Sequence, residues 1–202
     1  MKKSEAVIAG VDEVGRGCLF GPVVAAAAIV PDDATEMLLD LGVTDSKKLS
    51  PKKRDRLYDI ILDNAEVHVG WSSVREIDRI NILQASLLAM KRAIARLSET
   101  PSLCLVDGNR KIPNLNIPQK TVVKGDQHEL AIAAASIVAK VWRDRLIIRL
   151  DRRYPGYDLA SNKGYGSRRH RDAIETLGIT PLHRLSFSPC QHRQLAITNS
   201  NG

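Results

Sequence analysis

The chain has 202 residues, 44% of them hydrophobic and 26% charged, which suits one ordinary globular core and excludes a disordered or low-complexity polymer. The longest apolar run, residues 23–30, is far too short to span a bilayer, and Cys18, Cys104 and Cys190 are too few and too scattered for a disulfide framework or a structural zinc site. The formal charge of +7 lies wholly within residues 140–202, where twelve Lys and Arg face five Asp and Glu; such a flank suits a solvated surface, and it also suits a polyanion such as nucleic acid.

In chain order, residues 6–11 and 23–30 are apolar, small and β-branched, as buried strands are, and the glycine-bearing stretch 15–21 joins them. Pro31-Asp32-Asp33 ends the second run. Ser50-Pro51 has the form of an N-cap followed by proline at the first helical position, with Leu57, Ile60 and Ile61 at helical spacing behind it. Residues 66–71 alternate like a strand, and Ser73 with Glu76 forms a capping-box pattern before a short helix. A longer helix is expected over 81–98, with Leu83, Leu87, Met90, Ile94 and Leu97 on one side and Pro101 beyond its end. Residues 103–106 and 119–123 are short strands; 129–150 is a long helix rich in alanine; 168–177 is a helix closed by Gly178; and the chain after Pro181 is irregular. This order predicts one mixed α/β sheet covered by helices. No repeat and no linker divides the chain, so residues 1–202 are expected to form a single domain with 140–202 as its basic, helical C-terminal part. No signal peptide is expected at the N-terminus, where Met1-Lys2-Lys3 runs into Ser4 and Glu5, and a reducing, cytoplasmic compartment fits the cysteines.

The informative pattern is where acids interrupt apolar strands. Asp12 and Glu13 end the first strand, Asp107 ends the 103–106 run, and Asp126 follows the 119–123 run. Strand ends are where open α/β sheets bind ligands. Four carboxylates gathered there would repel one another unless a cation lay between them, and hard oxygen donors without Cys or His select Mg2+ or Mn2+. Taken singly, each acid is also an ordinary turn residue. Gly15-Arg16-Gly17 could let the backbone approach a ligand while the arginine forks onto a phosphate, or could be a plain turn. Lys47 and Lys48, in Asp45-Ser46-Lys47-Lys48-Leu49-Ser50, precede a helix start and could hold phosphate, or could be solvated. Tyr165, between Gly164 and Gly166, could stack on a sugar or base, or could anchor the core. The five histidines have no metal spacing.

Together these stretches resemble the ribonuclease HII family. The residues that carry the resemblance are Gly10-Val11-Asp12-Glu13-Val14-Gly15-Arg16-Gly17, Asp45 to Ser50, Val106-Asp107-Gly108-Asn109-Arg110, Val123-Lys124-Gly125-Asp126, Ala133 to Lys140 and Lys163-Gly164-Tyr165, in family order. The resemblance implies a ribonuclease H-like fold, a mixed five-stranded sheet flanked by helices with a helical C-terminal extension. It implies that Asp12, Glu13, Asp107 and Asp126 hold two divalent ions, Mn2+ or Mg2+. Gly15, Arg16 and Gly17 would recognise the ribose 2′-hydroxyl and adjacent phosphates, and Lys47, Lys48, Asn109 and Arg110 belong to the implied substrate-binding set. Tyr165 would pack on the sugar at an RNA–DNA junction. The substrates implied are RNA/DNA hybrids and DNA duplexes containing ribonucleotides; no membrane role is expected, and a monomer is.

The start of the chain a few residues before its first strand is like the HII type rather than the related HIII type. The chain departs from the usual pattern at Cys18, where proline is common, at Asn162, where histidine often stands, at Gln127-His128-Glu129-Leu130, and at Leu185 in place of a common arginine. None of these removes a carboxylate. The implied reaction is hydrolysis 5′ to a ribonucleotide, leaving 3′-hydroxyl and 5′-phosphate ends, while Arg143, Arg145, Lys163, Arg168 and Arg169 hold the duplex backbone. A resolvase-like DNA nuclease of the same fold and a catalytically inactive nucleic-acid-binding module are the rival readings.

Overall fold

The structure, a computed structural model, describes residues 6–191. Five strands form one mixed sheet in the order β3-β2-β1-β4-β5. β1 (Ile8–Val14), β2 (Val23–Ile29) and β3 (Glu66–Ser72) pair antiparallel. β4 (Leu103–Asp107) joins the other side of β1 in parallel, and β5 (Gln119–Val122) joins β4 the same way. The helices are α1 (Asp32–Asp40), α2 (Pro51–Asn64), α3 (Val74–Ile94), α4 (Leu130–Asp151), α5 (Leu159–Asn162) and α6 (Arg168–Leu177). No helix among the described residues is long and apolar enough to cross a membrane.

Both faces of the sheet are covered, and the strand sequences explain how closely. Along β2, Val23, Ala25 and Ala27 face a core built with α3, while Ala26 and Ala28 face a second core built with α1, α2 and α4. Small side chains on both faces of a central strand let helices lie close on either side. At Gly10 the approach is closer still: a Cβ there would sit 2.2 Å from the backbone carbon of Ala131. α4 therefore rests directly on the β1 backbone, two residues before Asp12. Gly70 does the same for α3, where a Cβ would meet the Ala89 carbonyl oxygen at 2.3 Å.

Three elements differ from expectation or refine it. β1 does not stop at Val11 but runs to Val14, with Asp12 and Glu13 paired to Ala26 and Ala25. The nine-residue α1 follows Pro31 where a simple strand end was expected; it buries only Ala34 and Leu38, too few apolar positions to show a helical period. The expected short and long helices are both present but joined at Asn81, whose φ of 65° breaks α3 and whose Oδ1 caps the second part by accepting from Gln84 N–H at 3.1 Å. The Ser73–Glu76 capping box forms as predicted.

The C-terminal part packs around a third core of Ile147, Tyr157, Leu159, Ala173, Ile174 and Ile179. Leu19 and Phe20, from the β1–β2 connection, belong to that core. The turn that carries Gly15, Arg16 and Gly17 is thereby anchored to the C-terminal part by its own continuation.

Candidate active site

Val11 and Val106 are paired across β1 and β4. Asp12 and Asp107 are each the next residue on these parallel strands, so both carboxylates emerge on one face of the sheet. Asp12 is 6% exposed. Burial first, then the charges of Glu13 and Asp107, hold its carboxyl well above the usual range, against the opposing pull of the nearby Ser136 hydroxyl on α4 and of Glu13 N–H, which donates to Asp12 Oδ1 at 2.7 Å. Glu13 is raised as well, mainly by burial, although Arg16 pairs with it at 3.1 Å and pulls the other way.

Asp126 arrives from the end of β5. Lys124 takes a left-handed conformation, φ 57°, and turns the chain into a single 3-10 turn, Gly125–Gln127. Gly125 N–H donates to Asp107 Oδ1 at 2.8 Å and ties that turn to the end of β4. Burial and the neighbouring Asp45 raise the Asp126 carboxyl, while Lys47 lowers it from 3.7 Å. At Lys47 burial opposes the charged form, yet the summed fields of Asp126, Asp12, Asp45 and Asp107 win and raise it. The four predicted acids thus share one electrostatic neighbourhood at the ends of β1, β4 and β5, with an ammonium group leaning into it. Among the described residues no three His, Cys, Asp or Glu already converge closely enough to ligate an ion.

The turn beside the acids is shaped by two buried arginines. Arg184 donates to the carbonyls of Gly15 (2.7 Å), Arg16 (2.8 Å) and Gly21 (3.0 Å). Arg143 donates to those of Phe20 (2.9 Å), Pro22 (3.1 Å) and Lys163 (2.8 Å). In a trans peptide the N–H points opposite to the C=O. With the Gly15 and Arg16 carbonyls turned inward to Arg184, the amide hydrogens of Arg16 and Gly17 are turned outward. Arg16 and Gly17 are exposed, and a Cβ at Gly17 would meet nothing within 4 Å. Gly15, at φ 89° and against the Arg143 side chain, has no room for one.

Tyr165 lies next to this turn. Cys18 and Tyr165 form an antiparallel bridge, and Leu19 N–H donates to the Gly164 carbonyl at 2.8 Å. The Tyr165 ring is 41% exposed, with Lys140 Nζ 5.8 Å from its centroid, so it is available to a ligand rather than locked in the core. Lys48, Asn109 and Arg110 are exposed around the strand ends.

One expectation fails. Arg143 is fully buried with its guanidinium spent on three carbonyls, so it braces the loop and cannot grip a phosphate. Arg145, Arg168 and Arg169 are exposed as expected, and Lys163 is half-buried. Two contributors were not foreseen. Asp45 is buried beside Asp126 and accepts from Lys47 N–H at 2.9 Å; it stands in a motif where the lysines drew the attention. Arg184 sits in a stretch without periodicity, and nothing in its sequence context marks it. Of the departures from pattern, Asn162 accepts from Gly164 N–H at 2.7 Å and so caps the turn before Tyr165, while Leu185 is an exposed side chain whose N–H reaches Asp78 at 3.1 Å.

A mixed sheet of this order, helices on both faces and acids at adjacent strand ends define a ribonuclease H-like α/β fold. The family model for ribonuclease HII matches residues 9–190. Ribonuclease HII of Acaryochloris marina is 68% identical over 185 residues, covering 91% of this chain and 93% of that one. The solved ribonuclease H2 of Pyrococcus horikoshii superposes with a TM-score of 0.76 at 28% identity, covering 91% and 94% of the two chains. The ribonuclease HII of Archaeoglobus fulgidus, solved in complex with PCNA, gives 0.77 at 29% identity, covering 95% and 98%. The chain belongs to the ribonuclease HII family, and as such is a hydrolase with ribonuclease H endonuclease activity.

Proposed function

We propose that this enzyme cuts the RNA strand of RNA/DNA hybrids, and cuts 5′ of single ribonucleotides embedded in duplex DNA, as the first step of ribonucleotide excision. Asp12, Glu13, Asp107 and Asp126 are the proposed catalytic, metal-holding residues. The observation that carries this is the pairing of Val11 with Val106, which sets the buried carboxylate of Asp12 beside the half-buried one of Asp107, with the single ammonium of Lys47 shared among the acids. The donor set fits a hard cation: it is all oxygen, and Asp12, Glu13 and Asp126 are raised first by burial and then by neighbouring carboxylates, both of which a bound cation would offset. Magnesium-type ions usually complete their coordination with substrate phosphate and water rather than an all-protein cage, which accounts for acids that are neighbours without already converging. When bound, a pair of Mg2+ or Mn2+ ions supplies activation of the attacking water and charge stabilisation at the leaving 3′-oxygen.

The protein's own part is recognition and placement. The outward amides of Arg16 and Gly17 can donate to a ribose 2′-hydroxyl and its phosphate irrespective of base, and the 2′-hydroxyl is what separates RNA from DNA at a given nucleotide. Tyr165, bridged to the same turn, covers the sugar at the RNA–DNA junction. Lys47, Lys48, Asn109 and Arg110 line the approach for phosphates. Arg145, Lys163, Arg168 and Arg169 add the non-specific grip of a basic flank. The described core and the C-terminal part act as one domain, in a monomeric, cytoplasmic protein whose three cysteines are free and buried.

The deciding assay is cleavage of a DNA duplex holding one ribonucleotide, with Mg2+, with Mn2+ and with chelator, beside an all-DNA branched duplex. Metal-dependent cuts 5′ of the ribonucleotide are expected, with the branched DNA intact. Cutting of the branched DNA alone would instead establish a resolvase-like nuclease, and binding without cutting an inactive module.

A further inference from the structure

Two buried histidines stand outside the acid cluster. His170 on α6 and His183 on the loop after it have their Nε2 atoms 3.1 Å apart. Two ring nitrogens form a hydrogen bond at that distance only when one carries a proton and the other does not. Their surroundings fix which. Thr180 N–H donates to His183 Nδ1 at 2.9 Å, so that nitrogen is bare and the neutral ring has its proton on Nε2. His170 Nε2 must then accept. Its own proton sits on Nδ1, 2.8 Å from the Tyr165 carbonyl oxygen, which can only accept. Every bond points the same way, from Thr180 through His183 and His170 to the backbone of Tyr165.

The pair is closed off from water by rings. Phe20 meets His183 edge-on at 5.2 Å, and Tyr157 lies 5.0 Å from His183 and 6.1 Å from His170. Burial keeps both imidazoles neutral, pushing His183 down to about 3 and lowering His170. The next residue after His183 is Arg184, which holds the Gly15 and Arg16 carbonyls. Residues 183 and 184 therefore brace both walls of one gap: the 15–17 turn through Arg184, and Tyr165 through His183 and His170.

We infer that His170 and His183 are positioning residues for ribose selection, their directed hydrogen bonds fixing the backbone of Tyr165 against the turn that faces the 2′-hydroxyl. This rests on the proposed role of Tyr165. Neither histidine touches substrate; each acts through the residue it holds.

Two measurements test it. In the intact protein, long-range 1H–15N spectra of the imidazole rings, assigned with His170→Asn and His183→Asn, are expected to show His183 protonated on Nε2 and His170 on Nδ1 at neutral pH. The reverse tautomers, or a charged ring, overturn the relay. In kinetics, His170→Asn keeps an amide N–H near the Nδ1 position, whereas His170→Gln does not. Cleavage at a single embedded ribonucleotide is expected to lose about tenfold or more in kcat in His170→Gln, with KM little changed, and to recover largely in His170→Asn. Equal losses in both variants, or none, overturn the positioning role. Tyr165→Ala separates the two layers: if it cleaves at the full rate, the assignment of Tyr165 has failed and the inference with it; if it is impaired while His170→Gln is not, the relay alone has failed.

Discussion

Asp12 and Asp107, ninety-five positions apart in the chain, each stand one residue past the paired Val11 and Val106 of adjacent parallel strands. That register, rather than any local motif, makes them a pair. Asp107 Oδ1 is also the acceptor for Gly125 N–H, so the same side chain positions the turn that brings Asp126 in. Asp107→Asn retains the shape and an acceptor oxygen but removes one charge. We expect cleavage of an RNA/DNA hybrid to fall roughly a hundredfold to a thousandfold or more, while hybrid affinity measured without metal stays close to that of the parent. Full activity in the variant would remove Asp107 from the metal-holding set.

The same charges make a prediction about stability. Burial, followed by the fields of Glu13 and Asp107, raises Asp12. A carboxyl with a higher pKa folded than unfolded holds its proton more tightly in the fold. Its contribution is therefore present at acid pH and is lost as pH rises from about 4 through the folded value. At neutral pH without metal the cluster subtracts from stability, and a cation should restore it. Saturating Mg2+ or Mn2+ is expected to raise the melting temperature, by the equivalent of about 2.7 kcal/mol at a hundredfold excess over Kd. Asp12→Asn should melt higher than the parent in chelator and respond little to metal. Calorimetry with and without metal decides it, and an unchanged parent would speak against a cation site.

The buried histidines act in the opposite direction on the pH axis. Their folded pKa values are lowered, His183 to about 3, so below about pH 6.5 the unfolded chain takes up protons that the folded chain refuses. Stability should fall as pH falls. His183 alone accounts for about 2 kcal/mol between pH 6.5 and 5. The comparison of parent with His183→Asn in urea at both pH values cancels the acids, which are common to both. The parent is expected to lose more stability on acidification; parallel losses would mean that His183 is not held neutral.

Most of the sheet was legible because its strands and long helices carry strong periodicity, and because acids at the ends of apolar runs are conspicuous. α1 was not legible, since two buried side chains leave no pattern. Asp45 was hidden among lysines, and Arg143 and Arg184 look in sequence like any surface arginine. Their roles come from six backbone carbonyls on the 15–22 segment and at Lys163 that turn toward them in three dimensions. Composition assigned all the positive charge of the C-terminal part to the outside; packing took two of those charges inward.

Gly10 tests whether the seat of α4 matters to the acids. A methyl group there would lie 2.2 Å from the Ala131 carbon and 2.3 Å from the Ile132 nitrogen, and neither backbone atom can yield without moving α4 off β1. Gly10→Ala is expected to cost about 3 kcal/mol or more in urea unfolding, and to reduce activity in the fraction that remains folded, because Ser136 moves with the helix away from Asp12. A variant with parental stability and rate would show that the helix can shift freely there.

Arg143 and Arg169 separate the two fates of a basic residue in this chain. Arg169 is exposed, 4.0 Å from Asp158, and that weak surface pair leaves it free to meet a phosphate. Arg169→Ala is expected to reduce the steepness of log Kd against log salt for hybrid binding by about one unit, without changing the melting temperature. Arg143 is buried and serves three carbonyls. Arg143→Met would leave those acceptors without donors, at about 1–3 kcal/mol for each one that stays dry. Its melting temperature should therefore drop while the salt slope of whatever still folds is unchanged, since no phosphate contact is lost. Salt titrations of both variants by fluorescence anisotropy, set beside their melting curves, distinguish the roles. If Arg143→Met flattened the salt dependence and melted normally, the guanidinium would have to reach the duplex, and the inward clamp on the 15–22 loop would not be its function.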